Sequence, residues 1–168
     1  MTALPAALGG GDDLVVWRLE ERTYAATWDS GEGPFLYGGR WNSKGVRVVY
    51  CSLDPAVAIL EVAVHTGFRT LDTVPYVLTA ARIADIAKVQ VVTSDAAPNP
   101  NWLRPGTPSA GQQAFGDDCL RRHRFVAIPS AVSTHSWNLI FDPIKAAGFY
   151  SMKFQEPFAL DTRLHPPA

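Results

Sequence analysis

The chain has 168 residues, of which 47% are hydrophobic and 18% are charged, a composition that suits one compact domain with a buried core. Its formal net charge of -1 gives no general attraction to nucleic acids or to anionic membranes. No apolar run approaches the roughly 18 residues that a membrane-spanning helix needs. We therefore expect a cytoplasmic protein that binds neither nucleic acid nor membrane directly.

The N-terminal residues 1–13 are small and glycine-rich and lack the basic residues of a signal peptide. We expect them to form a flexible leader, followed by a single domain over residues 14–168. Cys51 and Cys119 have no CxxC spacing, so both are predicted to be buried free thiols. No metal site is expected.

The first elements of the domain have clear start and stop signals. Strands are predicted over residues 14–19 and 46–51 from their apolar patterns. A helix over residues 56–66 should begin with Asp54 as its N-cap and Pro55 at its first position. Its body is apolar nearly all round, so we expect it to be mostly buried.

The second half of the chain has many short apolar segments. Residues 94–112 are rich in proline, glycine, serine and asparagine, which predicts a long loop anchored by Trp102. The segments predict an α+β domain with a bent mixed β-sheet and flanking helices. A helix is predicted over residues 115–122, and strands over 76–80, 87–92, 125–128, 137–141 and 149–154.

Glu61 is the most unusual residue of the predicted helix, because it lies among aliphatic neighbours. A carboxylate in such surroundings is costly unless it is paired or used. It could pair with a structural arginine, or it could act in a site together with His65, one helical turn further on. The sequence leaves both alternatives open.

Two arginines are candidates for binding an anion. Arg40 follows two glycines, which allow the backbone to approach a ligand closely, and Arg18 interrupts an apolar strand. Either residue alone could form an ordinary ion pair, but together they suggest a clamp for a diphosphate. The loop matches neither a P-loop nor a GxGxxG fingerprint.

Tyr50 and Ser130 are further candidates, each at the end of a predicted strand. The Tyr50 ring could be core packing or could stack on a base or a nicotinamide ring. Ser130 could hydrogen-bond a ligand, and no GxSxG motif surrounds it, so a serine hydrolase is not indicated.

These residues, taken in order, resemble the RES-domain toxins, a family named after its Arg, Glu and Ser motifs. The match runs from about residue 17 to residue 164. Two positions depart from the family pattern: Cys119 stands where an aromatic residue is common, and Ser136 where a glutamate is common. The matching segments are residues 17–19, 38–42 with Gly45, 48–50, 58–65 and 128–130, then Asn138, Asp142 and Pro143, and finally residues 157–164.

The resemblance implies a fold related to the ADP-ribosyltransferases of the diphtheria-toxin type, with NAD+ as substrate and no metal. Family members cleave the nicotinamide–ribose bond as glycohydrolases or phosphorylases, or transfer ADP-ribose to a protein. They are held inactive in a hetero-oligomer with an Xre-like helix-turn-helix antitoxin. A non-catalytic nucleotide-binding module is the further alternative.

The resemblance also implies a role for each candidate residue. Glu61 would stabilise positive charge at the ribose or hold the ribose hydroxyls, and Arg18 and Arg40 would hold the diphosphate. Tyr50 would pack on the nicotinamide side, and Ser130 would hydrogen-bond in the same pocket. Glu61, Arg18 and Ser130 are the predicted catalytic residues, while Arg18, Arg40, Tyr50 and Ser130 are predicted to bind NAD+.

Overall fold

The protein is built on a mixed β-sheet of seven strands in the computed structural model, which describes residues 14–165. The predicted leader lies outside these residues. The strand order is β4-β5-β6-β2-β1-β3-β7, with β4 and β5 parallel and the other neighbouring pairs antiparallel. The strands are β1 Leu14–Glu21, β2 Val49–Ser52, β3 Tyr76–Ile83, β4 Val89–Val91, β5 Phe125–Pro129, β6 Trp137–Phe141 and β7 Tyr150–Phe158.

Four α-helices flank the sheet in the described part of the chain, and all the predicted strands are present, with shifts at their ends. No helix within residues 14–165 is both long and apolar enough to cross a membrane. The α-helices are α1 Glu32–Tyr37, α2 Pro55–Thr66, α3 Phe68–Thr73 and α4 Ala110–Arg122, and short 3-10 helices lie at Arg22–Thr27, Ile86–Lys88, Pro100–Leu103 and Thr162–Leu164.

Helix α2 begins as predicted, because the Asp54 carboxylate accepts hydrogen bonds from the backbone N–H groups of Ala56 and Val57. The prediction that this helix is mostly buried is wrong. Ala63 on one face is buried, but Val64 is 55% exposed. The helix covers the sheet with one face only, and its remaining apolar residues border a cavity or solvent.

The hydrophobic core lies on both faces of the sheet, and the interior strands β5 and β6 are buried along their whole length. Cys51 and Cys119 are buried free thiols, as predicted. Burial raises the pKa of the Cys51 thiol to about 12, so that it stays protonated at neutral pH. The largest core side chains are Trp41, Phe125, Phe141, Ile83, Ile128 and Leu139.

Strands β1 and β2 barely pair, and this positions the candidate site. Their only registered pair is Trp17 with Ser52, whereas β1 pairs with β3 along its whole length. Beyond that pair the two strands diverge, and the Arg18 guanidinium spans the gap by donating to the Tyr50 carbonyl at 2.9 Å. The sheet therefore opens at its centre instead of at an edge.

Candidate active site

A cavity of about 500 Å³ lies where β1 and β2 diverge. That volume is within the range of small-molecule sites. Helix α2 and residues 38–41 contribute to its lining, as do Gly106 and Pro108 from the loop before α4. The chemically important lining residues are Trp17, Arg18, Arg40, Tyr50, Glu61 and Asn138.

Glu61 extends from α2 into this cavity and is held through one of its two oxygens. Its Oε1 accepts a hydrogen bond from Ser130 Oγ at 2.8 Å and another from Asn138 Nδ2 at 2.6 Å. No described residue donates a hydrogen bond to Oε2. The arrangement fixes the carboxylate by neutral donors, not by the structural arginine that the sequence left open, and leaves one oxygen for a ligand.

Ser130 lies behind Glu61 instead of lining the cavity. It is fully buried, and its Oγ accepts hydrogen bonds from the backbone N–H groups of Val132 and Ser133 at 3.2 and 3.1 Å. Its hydroxyl proton is therefore directed at Glu61. The structure brings Ser130 to the site as support for the carboxylate, while its predicted contact with NAD+ stays a prediction.

Arg18 is paired with a residue that the sequence analysis did not single out. Its Nε donates to Glu20 Oε2 at 3.0 Å, and Glu20 Oε1 accepts from Thr79 Oγ1 at 2.9 Å. Residues i and i+2 of a strand share a face, so the acidic residue two positions after Arg18 was the sequence signal that could have indicated this ion pair. Arg18 reaches the cavity from the opposite face of the sheet, held between Glu20 and the Tyr50 carbonyl.

Glu20 gives the protein a testable pH dependence. Burial raises the pKa of its carboxyl above the ordinary value, although Arg18 and Thr79 act in the opposite direction. The folded state therefore binds protons more tightly at this residue than the unfolded state does. Its contribution to stability is present at low pH and is lost as pH rises above the ordinary glutamate range.

We expect the free energy of unfolding of the wild type to decline relative to that of Glu20→Gln as pH rises from about 4 to 7. Urea denaturation of both proteins at several pH values measures this difference. A difference that is constant, or that changes in favour of the wild type, would contradict the assignment.

Arg40 contacts the loop between β4 and α4. Its guanidinium donates to the backbone carbonyls of Trp102, Arg104 and Gly106 at 3.4, 3.3 and 3.0 Å. Its predicted contact with a diphosphate stays a prediction. An anion bound at Arg40 has to compete with these carbonyls, so ligand binding here is coupled to the position of the loop.

Tyr50 places its ring against the cavity and its hydroxyl in the neighbouring loop. The hydroxyl accepts from Trp41 N–H at 2.9 Å and donates to Asn42 Oδ1 at 2.8 Å. Burial raises the pKa of Tyr50 well above its usual range, so the phenol stays protonated. A Cβ at Gly39 would lie 2.7 Å from this hydroxyl. A larger residue therefore does not fit at position 39, which accounts for one of the two glycines before Arg40.

The remaining sequence candidates have simpler surroundings. His65 is exposed and lines the cavity one turn after Glu61. Cys119, a residue of α4, is buried in a hydrophobic cluster. The Ser136 hydroxyl contacts that of Ser133 at 2.9 Å. Within residues 14–165, no group of three or more His, Cys, Asp or Glu residues is arranged to hold a metal ion.

The mixed sheet with flanking helices confirms the predicted α+β class, and the opening between β1 and β2 gives this domain a cavity within its sheet. The family model of the RES domain matches residues 15–162, nearly the whole chain. The chain therefore belongs to the RES domain family, as the sequence motifs predicted.

Relatives and a solved structure agree with this assignment. "Toxin Res" of Pseudomonas putida is 31% identical over 155 residues, covering 90% of this chain and 99% of the relative. "Toxin Res" of Photorhabdus laumondii is 29% identical over 133 residues, covering 78% and 83%. "Prs ADP-ribosylating toxin" of a Sphingobium species is 32% identical over 135 residues, covering 76% and 81%.

The fold is similar to that of one chain in the crystal structure of the M. tuberculosis MbcT-MbcA toxin-antitoxin complex. The TM-score is 0.73 at 19% sequence identity, and the similarity covers 88% of this chain and 85% of the other. At this level of identity the comparison supports the fold.

Proposed function

We propose that the protein is the toxin of a toxin–antitoxin system and consumes NAD+ in the cytoplasm by cleaving its nicotinamide–ribose bond. The observation that carries the proposal is the Glu61 carboxylate, held through Oε1 with Oε2 open toward a cavity that two arginines border. The names of the relatives support the toxin role.

Glu61 suits the electrostatic demand of this reaction. Departure of nicotinamide leaves oxocarbenium character on the ribose, as in glycoside cleavage. A carboxylate fixed beside the ribose stabilises that positive charge, or holds the ribose hydroxyls, without reorganising during the reaction. Because both neutral donors act on Oε1, Oε2 is the oxygen that would face the ribose.

The two arginines suit the diphosphate of NAD+. Within the described chain, the Nε and Nη1 of Arg18 donate hydrogen bonds to Glu20 and to the Tyr50 carbonyl. Its Nη2 donates none to the described residues, so this nitrogen is available to a ligand. Arg40 would exchange its three hydrogen bonds to neutral loop carbonyls for phosphate oxygens, which are better acceptors because they are charged. The Tyr50 ring would then pack beside the nicotinamide.

The acceptor of ADP-ribose separates the two catalytic alternatives. Water or phosphate as acceptor makes the protein a glycohydrolase or a phosphorylase, and a protein side chain makes it a mono-ADP-ribosyltransferase. The relative called an ADP-ribosylating toxin supports keeping the second alternative. A nucleotide-binding module without catalysis is the remaining alternative, although binding alone does not explain a fixed carboxylate.

We also propose that an antitoxin, of the Xre-like helix-turn-helix kind, forms a hetero-oligomer with this protein and covers the cavity. The similar structure comes from a toxin–antitoxin complex. Two large apolar side chains next in sequence to cavity-lining residues are solvent-exposed: Tyr37, before Gly38, at 83% and Val64, before His65, at 55%. Exposed apolar groups around a cavity suit a protein partner.

The direct test is to incubate the purified protein with NAD+ in three buffers and to identify products by mass spectrometry. The first buffer contains no phosphate, so that water is the acceptor. The second contains inorganic phosphate, and the third contains a cell lysate as a source of acceptor proteins. Free ADP-ribose, ADP-ribose 1-phosphate and ADP-ribosylated protein identify the three acceptors. Calorimetric NAD+ binding without nicotinamide release in any buffer would favour the binding module instead.

Replacing Arg40 by lysine is expected to raise KM for NAD+ by roughly 10- to 100-fold, because lysine cannot reproduce a two-point contact with phosphate. Arg69→Lys, an exposed change on α3, is the matched control and should leave KM unchanged. Steady-state kinetics measures both values. An unchanged KM in Arg40→Lys would remove Arg40 from the NAD+ site.

A further inference from the structure

A chain of hydrogen bonds leads from β2 to Glu61. Ser52 Oγ lies 2.8 Å from Asn138 Oδ1, and Asn138 Nδ2 lies 2.6 Å from Glu61 Oε1. A carboxylate only accepts hydrogen bonds, so the amide must face Glu61 with its NH2 group. Its oxygen then faces Ser52, whose hydroxyl must donate.

The strand pairing makes this chain rigid. Ser52 and Asn138 are direct cross-strand partners on β2 and β6, and Ser52 is also the residue of β2 that pairs with β1. Ser52 is 3% exposed and Asn138 is 9% exposed, so water competes little for their hydrogen bonds. Both side chains are fixed by the backbone at the point where the sheet begins to open.

Ser130 supplies the second donor to the same oxygen from another segment. Its lone pairs accept two backbone N–H groups, so its proton points at Glu61 Oε1. Two donors of the network, Ser130 Oγ and Asn138 Nδ2, are thus directed at the same oxygen, Oε1. This convergence is why Oε2, the other oxygen, is left toward the cavity.

We propose that Ser52 and Asn138 are positioning residues of the reaction. Asn138 donates a hydrogen bond to Oε1 and thereby orients Oε2 toward the ligand. Ser52 acts through Asn138, because its hydroxyl fixes the orientation of the Asn138 amide. The inference rests on the proposed NAD+ cleavage. Loss of either residue should lower kcat and leave KM for NAD+ within about 2-fold, since neither residue is required to bind the diphosphate.

A double-mutant cycle distinguishes positioning from simple packing. We expect kcat to fall about 5-fold in Ser52→Ala and roughly 10- to 100-fold in Asn138→Ala, consistent with loss of a neutral and of a charge-assisted hydrogen bond. In the Asn138→Ala background, Ser52→Ala should cost nothing further. Ser151→Ala, which removes an exposed hydroxyl on β7, is the control. Multiplicative effects in the double variant would overturn the role of Ser52.

An NMR measurement tests the network without any turnover. The two Nδ2 proton signals of Asn138 should be widely separated in the wild type, because one proton is bonded to a carboxylate. The separation should shrink in Glu61→Gln and in Ser52→Ala. If it shrinks while the wild type leaves NAD+ intact, the network stands and the proposed function fails. If neither variant changes the signals, the positioning proposal is overturned even for an active enzyme.

Discussion

Glu61→Gln is expected to lower kcat for NAD+ cleavage by about 100- to 1000-fold, the range for loss of one preorganised electrostatic group. Glutamine keeps the size and most of the shape of the side chain but removes the negative charge that stabilises the oxocarbenium ion. The amide oxygen can take the place of Oε1 and accept from both donors, so an NH2 group replaces Oε2 toward the cavity.

The change separates chemistry from binding. NAD+ affinity, measured by calorimetry, should stay within a few-fold of the wild type, because the diphosphate contacts proposed for the arginines remain. Glu32→Gln, on the exposed start of α1, is the matched control and should leave kcat unchanged. Full turnover by Glu61→Gln would remove Glu61 from the mechanism.

Gly116→Ala is expected to have the largest effect on stability. Gly116 lies on α4 against the loop that carries Trp41, and a Cβ there would meet the Trp41 carbonyl oxygen at 2.0 Å. The backbone of the helix or of the loop has to move. We expect the free energy of unfolding to fall by about 1–3 kcal/mol or more, as for other overpacked sites.

The activity should fall as well, since the Trp41 N–H donates to the Tyr50 hydroxyl that borders the cavity. Gly111→Ala in the same helix is the control: its Cβ would make an ordinary 3.5 Å contact with Trp102. Alanine there should stabilise the helix by up to about 1 kcal/mol. Urea denaturation compares the two variants, and equal stability of both would contradict the packing argument.

Local signals explain which elements could be predicted from the sequence. Helix α2 was bounded by Asp54, Pro55 and Gly67, and each acts at the helix end as expected. Helix α4 begins at Ala110, five residues before its predicted start, because the Ser109 side chain caps it by accepting from Gln112 N–H. Polar residues in its first turns had suggested a continued loop.

Tertiary contacts explain what the sequence could not predict. Helix α3 was not predicted, because Phe68–Thr73 is too short for a clear period and is stabilised by packing of Leu71. The exposed face of α2 was missed for a related reason. An apolar helix face looks the same in sequence whether it contacts the core or borders a cavity, and only the opening between β1 and β2 decides this.

The candidate site was predicted as a set of residues but not as a set of interactions. Arg18, Arg40, Tyr50 and Glu61 all border one cavity, although they come from separate elements. Their partners are backbone carbonyls and polar side chains distant in sequence, which carry no local pattern. Asn138 lies within the family motif, but its hydrogen bond to Glu61 depends on the pairing of β2 with β6.

Proton NMR of NAD+ mixed with a small amount of the purified wild-type protein measures the proposed bond cleavage itself. We predict that free nicotinamide appears in many equivalents per protein molecule, as the anomeric signal of the nicotinamide-bound ribose disappears at the same rate. If NAD+ stays intact in water, in phosphate and with lysate present, the protein does not cleave NAD+.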